Sequence, residues 1–173
     1  IEKMGGTIEV KSKEGVGSTF IIRIPFKLAP APDTVKKTAA QMDISGLNLL
    51  LVEDNELNAE IAETLLSDEG ANLTVAEDGL QAVRMFQEKP EGYFDAILMD
   101  IMMPVMDGLT ATKTIRSLKH PDAETIPIIA MTANAFVEDM RKTKEAGMNE
   151  HLTKPVDGEK LLQVLYKYKK TGL

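Results

Sequence analysis

From Gly46 onward the chain repeats one pattern five times: a short apolar run, a turn, then a longer stretch with apolar residues at helical spacing. No other feature restricts the fold as much. Leu47 to Val52, Ala71 to Ala76, Phe94 to Met99, Ile126 to Met131 and Glu150 to Thr153 are expected as strands, too short for helices and too apolar for loops. Pro127 falls at the start of the fourth, where a missing N–H is tolerated. Asn55 to Glu69, Gly79 to Lys89, Gly108 to Lys119, Asn134 to Ala146 and Gly158 to Lys170 are expected as helices. Leu57, Ile61, Leu65 and Leu66 should line the inner side of the first, Leu80, Val83 and Phe86 that of the second, and Leu161, Leu162, Leu165 and Tyr168 that of the last. Gly70 and Gly147 end their helices. Right-handed crossovers between such strands give an α/β fold, a doubly wound five-stranded parallel sheet with helices on both faces. Sites in that architecture form at the carboxyl ends of the strands.

The residues at those ends are therefore the ones to read. Strand one runs into Glu53 and Asp54, strand three into Asp100, strand four into Thr132 and strand five into Lys154. Taken singly, each has a plainer explanation: an acid capping the next helix, a hydroxyl at a strand end, a solvated lysine. Together they form a set. Three carboxylates crowded at one rim repel one another and need a cation to stay ionised together. A hard divalent ion with oxygen ligands and retained waters, Mg²⁺ above all, answers that need. With the ammonium of Lys154 and the hydroxyl of Thr132 beside it, the set suits phosphoryl transfer, with Asp100 as the nucleophile that forms an acyl phosphate.

Other chemistries fit less well. A phosphatase with an aspartyl nucleophile would want a second acid two positions on, and Met102 cannot supply a proton. A nucleotide switch would want a glycine-rich loop after strand one, where Glu53 and Asp54 stand instead. The net charge of -7 and pI near 4.9 argue against nucleic acid as a partner. The chain has no cysteine, so disulfides and thiolate chemistry are excluded. No apolar run is long enough to span a bilayer, and the N-terminus lacks both a signal-peptide pattern and an initiator methionine. The chain is accordingly expected to begin inside a longer protein.

The N-terminal part is different in kind. Residues 7 to 12 alternate polar and apolar, and residues 19 to 26 put Phe20, Ile22, Ile24 and Phe26 on one face, with Gly15 and Gly17 between the two runs. This reads as an N-terminal β-hairpin. Residues 28–45, with Ala29-Pro30-Ala31-Pro32, read as a semi-extended linker.

Residues 46–173 resemble a receiver domain of the two-component response-regulator family, through Leu51-Val52-Glu53-Asp54-Asn55, Asp100-Ile101-Met102-Met103-Pro104-Val105-Met106-Asp107-Gly108, Met131-Thr132-Ala133 and Lys154-Pro155. The resemblance implies a flavodoxin-like sheet of strand order 2-1-3-4-5. It implies that Asp100 accepts phosphate from a histidine kinase core or a histidine phosphotransfer protein. Asp54, Asp100 and the main-chain carbonyl of Met102 would hold Mg²⁺ directly, and Glu53 through water. Lys154 would bind a phosphoryl oxygen, Thr132 would move to the phosphorylated Asp, and the Lys154-Pro155 bond would be cis. His151 stands where many members carry an aromatic switch residue, which puts aromatic coupling in doubt. Met102 and Asn134 occupy the positions that tune water access to the acyl phosphate; an apolar residue at the first implies slow hydrolysis. Output would run through the loop after Thr132 and the helix from Asn134, or the phosphate would be passed to a phosphotransfer protein.

The hairpin is similar to the last glycine box and closing strands of a histidine-kinase ATPase domain, through Met4-Gly5-Gly6-Thr7-Ile8-Glu9-Val10 and Gly15-Val16-Gly17-Ser18-Thr19-Phe20. That implies a hybrid histidine kinase, a transferase whose ATP-binding core is absent from residues 1–27. The fragment should then catalyse only its own phosphorylation and dephosphorylation. The parent is expected to be cytoplasmic or membrane-anchored with this part in the cytoplasm. The severed hairpin should pack on the receiver, pair with a second chain as a homodimer, or be disordered.

Overall fold

The computed structural model of the chain describes residues 5–15, 17–25, 42–133 and 137–171. They fall into two compact units, divided near residue 40.

The first unit is an antiparallel hairpin of β1 (Thr7–Lys13) and β2 (Gly17–Arg23). Ile8 pairs with Ile22 and Val10 with Phe20, so the alternation puts these four side chains on one face. Arg23 closes the open end with a 2.5 Å bond to Glu9, and Ser12 meets Ser18 at 2.6 Å near the turn. Gly15 adopts a φ of 75°, the left-handed conformation the turn requires. Ile24 lies beyond the end of β2, and Phe26 is outside the described residues.

The second unit is the expected α/β domain. Its elements are β3 (Asn48–Val52), α1 (Glu56–Asp68), β4 (Asn72–Ala76), α2 (Gly79–Glu88), β5 (Ala96–Asp100), α3 (Gly108–Ser117), β6 (Ile128–Thr132), α4 (Val137–Ala146), β7 (Glu150–Thr153) and α5 (Gly158–Thr171). The sheet runs β4-β3-β5-β6-β7 and every pair is parallel. Period-two alternation divides its side chains between two cores. Leu50, Val52, Ile97, Met99 and Ile128 pack with Val83, Phe86 and Ile115 on the α2–α3 side. Leu49, Leu51, Leu98 and Ile129 pack with Leu66, Leu161 and Leu165 on the α1–α5 side. Strands buried on both faces are why these segments read as unbroken apolar runs.

Three expectations need correction. In α1, Leu57 and Ile61 do not face the core; they are 63% and 60% exposed, and the buried contacts come from Ala59 and Leu66. Small Ala59 lets the helix approach the sheet, and the stripe through residues 57 and 61 rotates outward. The central strands end one residue later than their apolar runs, so Asp100 and Thr132 are themselves the last strand residues. The domain also starts before Gly46, because Ile44 is only 1% exposed in the α1–α5 core. Lys169 of α5 holds this entry segment, donating to Ser45 O at 2.9 Å and to Asp43 at 3.3 Å. Bonds from Ser45, then from Lys169, draw the Asp43 carboxyl down to about 2.

Candidate functional site

The acids at the rim are spared from capping duty. Asn55 caps α1, its side-chain oxygen accepting from Asn58 N–H at 3.1 Å, so Glu53 and Asp54 are not used for that purpose. Asp107 caps α3 through Thr110 N–H at 2.8 Å, which leaves Asp100 outside that role as well. The plain reading of these acids as caps is thereby removed.

Glu53 and Asp100 are buried, at 3% and 6% exposure, while Asp54 is exposed. One carboxylate oxygen from each of Glu53, Asp54 and Asp100 lies within 4.8 Å of the others. Lys154, just past β7, bridges the two buried acids: its ammonium donates to Asp100 Oδ2 at 2.6 Å and to Glu53 Oε2. Burial pushes the Lys154 amine down, but the bonds to Asp100 and Glu53 outweigh it, and the group is raised above the ordinary lysine value. The other oxygen of Asp100 accepts from Met102 N–H at 3.1 Å, and the other oxygen of Glu53 accepts from Asn58 Nδ2 at 2.9 Å. Thr132 is buried at the end of β6, and its carbonyl accepts from Lys154 N–H at 2.7 Å. The Lys154-Pro155 peptide is cis.

Such a set of hard anionic oxygens fits a small divalent cation such as Mg²⁺. Three carboxylates against one ammonium leave an excess of negative charge at the rim, which a cation would offset.

The loop after Asp100 is tightly built. Gly108 N–H donates back to Ile101 O at 3.0 Å, and a Cβ at Gly108 would come within 2.1 Å of Asp100 O. Only glycine permits that approach. Val105 has a φ of 64°, and Met106 N–H donates to Pro104 O at 2.7 Å, a γ-turn centred on a β-branched residue. Met106 O in turn accepts from Gly79 N–H at 3.1 Å, fastening the loop to the start of α2.

The remaining sequence-predicted residues are distributed as follows. Met102 is 77% exposed beside Asp100. His151 is half-buried in β7, in register with Ala130. Asn134 lies outside the described residues. The sequence reading missed Asn58. Its position one turn after Asn55 was a usable signal, since residues near a helix start can reach back toward the preceding strand end.

Two grooves flank the cluster. One of about 420 Å³ is lined by Glu53, Asn58, Ile61, Leu65, Lys154 and Val156, among others. The second is strongly acidic, lined by Asp54, Glu56, Glu60, Glu63 and Glu77. Among the described residues no helix is long and apolar enough to cross a membrane.

Comparison with known proteins bears on this arrangement. A family model described as the response regulator receiver domain matches residues 49–166. The aerobic respiration control sensor protein ArcB of Escherichia coli is 36% identical over 169 residues, 96% of this chain but 21% of ArcB. The chain spans only a minor part of its curated relatives, 8% of a hybrid signal transduction histidine kinase of Dictyostelium discoideum for example. Among solved structures, the receiver domain of the sensor histidine kinase PA1611 from Pseudomonas aeruginosa, with a magnesium ion in its active-site cleft, is 40% identical with a TM-score of 0.65. The match covers 72% of this chain and 98% of that one. The receiver domain of Ssk1 in complex with the histidine phosphotransfer protein Ypd1 from Saccharomyces cerevisiae is 30% identical with a TM-score of 0.62, covering 70% of this chain and 88% of that one.

Proposed function

Since the chain belongs to the response regulator receiver domain family, we propose that its Asp100 is the phosphoacceptor of a two-component phosphorelay, taking a phosphoryl group from phosphohistidine. The observation that carries this is the pairing of Asp100 with a lysine and two further acids at one sheet rim. Bound Mg²⁺, held by Asp54, Asp100 and the Met102 carbonyl with Glu53 acting through water, would neutralise charge on the transferring group. Asp100 attacks with a carboxylate oxygen; the N–P bond of the donor breaks, an O–P bond forms, and the released imidazole takes up a proton. Lys154 turns from Asp100 Oδ2 to a phosphoryl oxygen. The Thr132 hydroxyl closes on the phosphorylated side chain and carries the switch into the loop after β6, with Asn134 and His151 tuning lifetime and coupling.

The partner is a histidine kinase core or a histidine phosphotransfer protein. The groove beside Lys154, lined in part by the outward-turned Ile61 of α1, supports docking there. We read residues 1–27 as the end of a kinase ATPase domain and the parent as a hybrid histidine kinase acting in the cytoplasm, with residues 28–40 as the connection. The similarity to ArcB, which extends over 96% of the chain, supports that origin. The exposed hairpin face of Ile8, Val10, Phe20 and Ile22 supports pairing with a second copy when the rest of the parent is absent.

Intact-mass measurement after incubation with Mg²⁺ and acetyl phosphate tests the reading. Gain of one phosphoryl group, lost in Asp100→Asn or with EDTA, is the expected result. Steady release of phosphate from phosphate esters with no adduct would identify a hydrolase instead.

A further inference from the structure

Glu53 is buried, yet it keeps two acidic neighbours within ligand distance, and its orientation depends on what bonds its two oxygens. One oxygen accepts from the Lys154 ammonium and the other from the Asn58 carboxamide, at 2.9 Å. Asn58 stands in the first turns of α1, held by the Asn55 cap through its main chain and independently of its side chain. Its carboxamide lies in the wall of the groove that also reaches Lys154.

We propose that Asn58 is a positioning residue for the metal cluster: its amide fixes the Glu53 carboxylate so that the charge set stays in place when Lys154 turns toward a phosphoryl oxygen. This deepens the phosphoacceptor reading and rests on its Mg²⁺ site. When Lys154 turns from Asp100 Oδ2 to a phosphoryl oxygen its ammonium moves, so a donor that does not move is needed to keep the other oxygen of Glu53 in place. Asn58 is that donor. It is neutral and leaves the total charge of the site unaltered. Without it, a buried oxygen loses its only neutral donor among the described residues, and the carboxylate can turn to take Lys154 with both oxygens. That geometry withdraws Glu53 from a cation. Supporting donors around metal ligands are worth roughly 10- to 100-fold in affinity; since Glu53 would hold the ion through water, the expected loss is smaller.

The test is the Mg²⁺ dissociation constant of the unphosphorylated protein, measured by calorimetry with magnesium chloride. Asn58→Ala should weaken binding roughly 3- to 10-fold with unchanged circular dichroism, and in a Glu53→Gln background it should change nothing, because the effect passes through that carboxylate. Asn58→Leu, which is isosteric and, like alanine, a stronger helix former than asparagine, should show the same loss, because it too lacks the carboxamide donor. An unchanged constant in either variant overturns the proposal, as does the same loss with Glu53→Gln present. Absence of Mg²⁺ binding in the unmutated chain would instead overturn the metal reading on which the proposal stands.

Discussion

Val105 shows most clearly what single residues contribute beyond the sequence pattern. A β-branched side chain at a φ of 64° costs roughly 1–3 kcal/mol and persists only where neighbours enforce it. Here the enforcing contacts are Gly108 on Ile101 and Gly79 on Met106, which fix both ends of the loop beside Asp100. Because the Val105 side chain is 80% exposed, little packing is lost on removing it. Val105→Gly should therefore raise stability by about 1 kcal/mol, read as a higher urea midpoint at constant slope; a lower midpoint would show that the conformation is unstrained. The positions of Glu53, Asp54, Asp100, Thr132 and Lys154 were legible because each follows an apolar run whose parallel pairing forces its end to one rim. The Val105 turn and the Asn58 bond were not legible, since both depend on backbone geometry and approach that no spacing encodes.

In α3, one side chain makes several connections to loops remote along the chain. Arg116 donates from Nε and Nη2 to Gly147 O at 3.0 and 2.9 Å, from Nη1 to Ala123 O at 2.7 Å, and from Nη2 to Ile126 O at 2.8 Å and Asn149 Oδ1 at 3.0 Å. Burial pushes its guanidinium below the ordinary value, and these acceptors are all neutral oxygens. The residue joins α3 to the segments before β6 and β7, and its fork geometry makes that possible. Arg116→Ala should cost about 2–4 kcal/mol through carbonyls left unpaired, and Arg116→Lys should recover little of it, both measured by chemical denaturation. Nothing in the sequence distinguished this arginine from a solvated one, because its partners come from loops remote along the chain. Helix α1 was misread for a related reason. Leu57 and Ile61 satisfy helical spacing, and only the short side chain of Ala59 reveals which stripe meets the sheet.

At the scale of the molecule, the five-fold alternation of strand and helix was enough to give a parallel sheet covered on both faces, because crossover handedness leaves few alternatives, whereas its strand order was implied only by the resemblance to receiver domains. The limits of the domain were harder to see. Ile44 sits in a stretch whose proline, alanine and lysine content reads as linker, and its burial depends on α5 folding over it. A chain beginning at Gln41 should unfold cooperatively, as a unit with its own core does. Removing residues through Ser45 should lower its stability further by about 1.5–3 kcal/mol, the worth of one buried isoleucine, and no difference between the two truncations would contradict that boundary.

The proposed function turns on one reactive group, Asp100, and its modification can be located chemically. Borohydride reduces an acyl phosphate of aspartate to homoserine, which peptide mass spectrometry assigns to a position. After treatment with Mg²⁺ and acetyl phosphate, we expect homoserine at position 100, dependent on the metal and absent from Asp100→Asn. Homoserine at another acid, or none in protein that has taken up phosphate, would contradict the assignment of Asp100 as the acceptor.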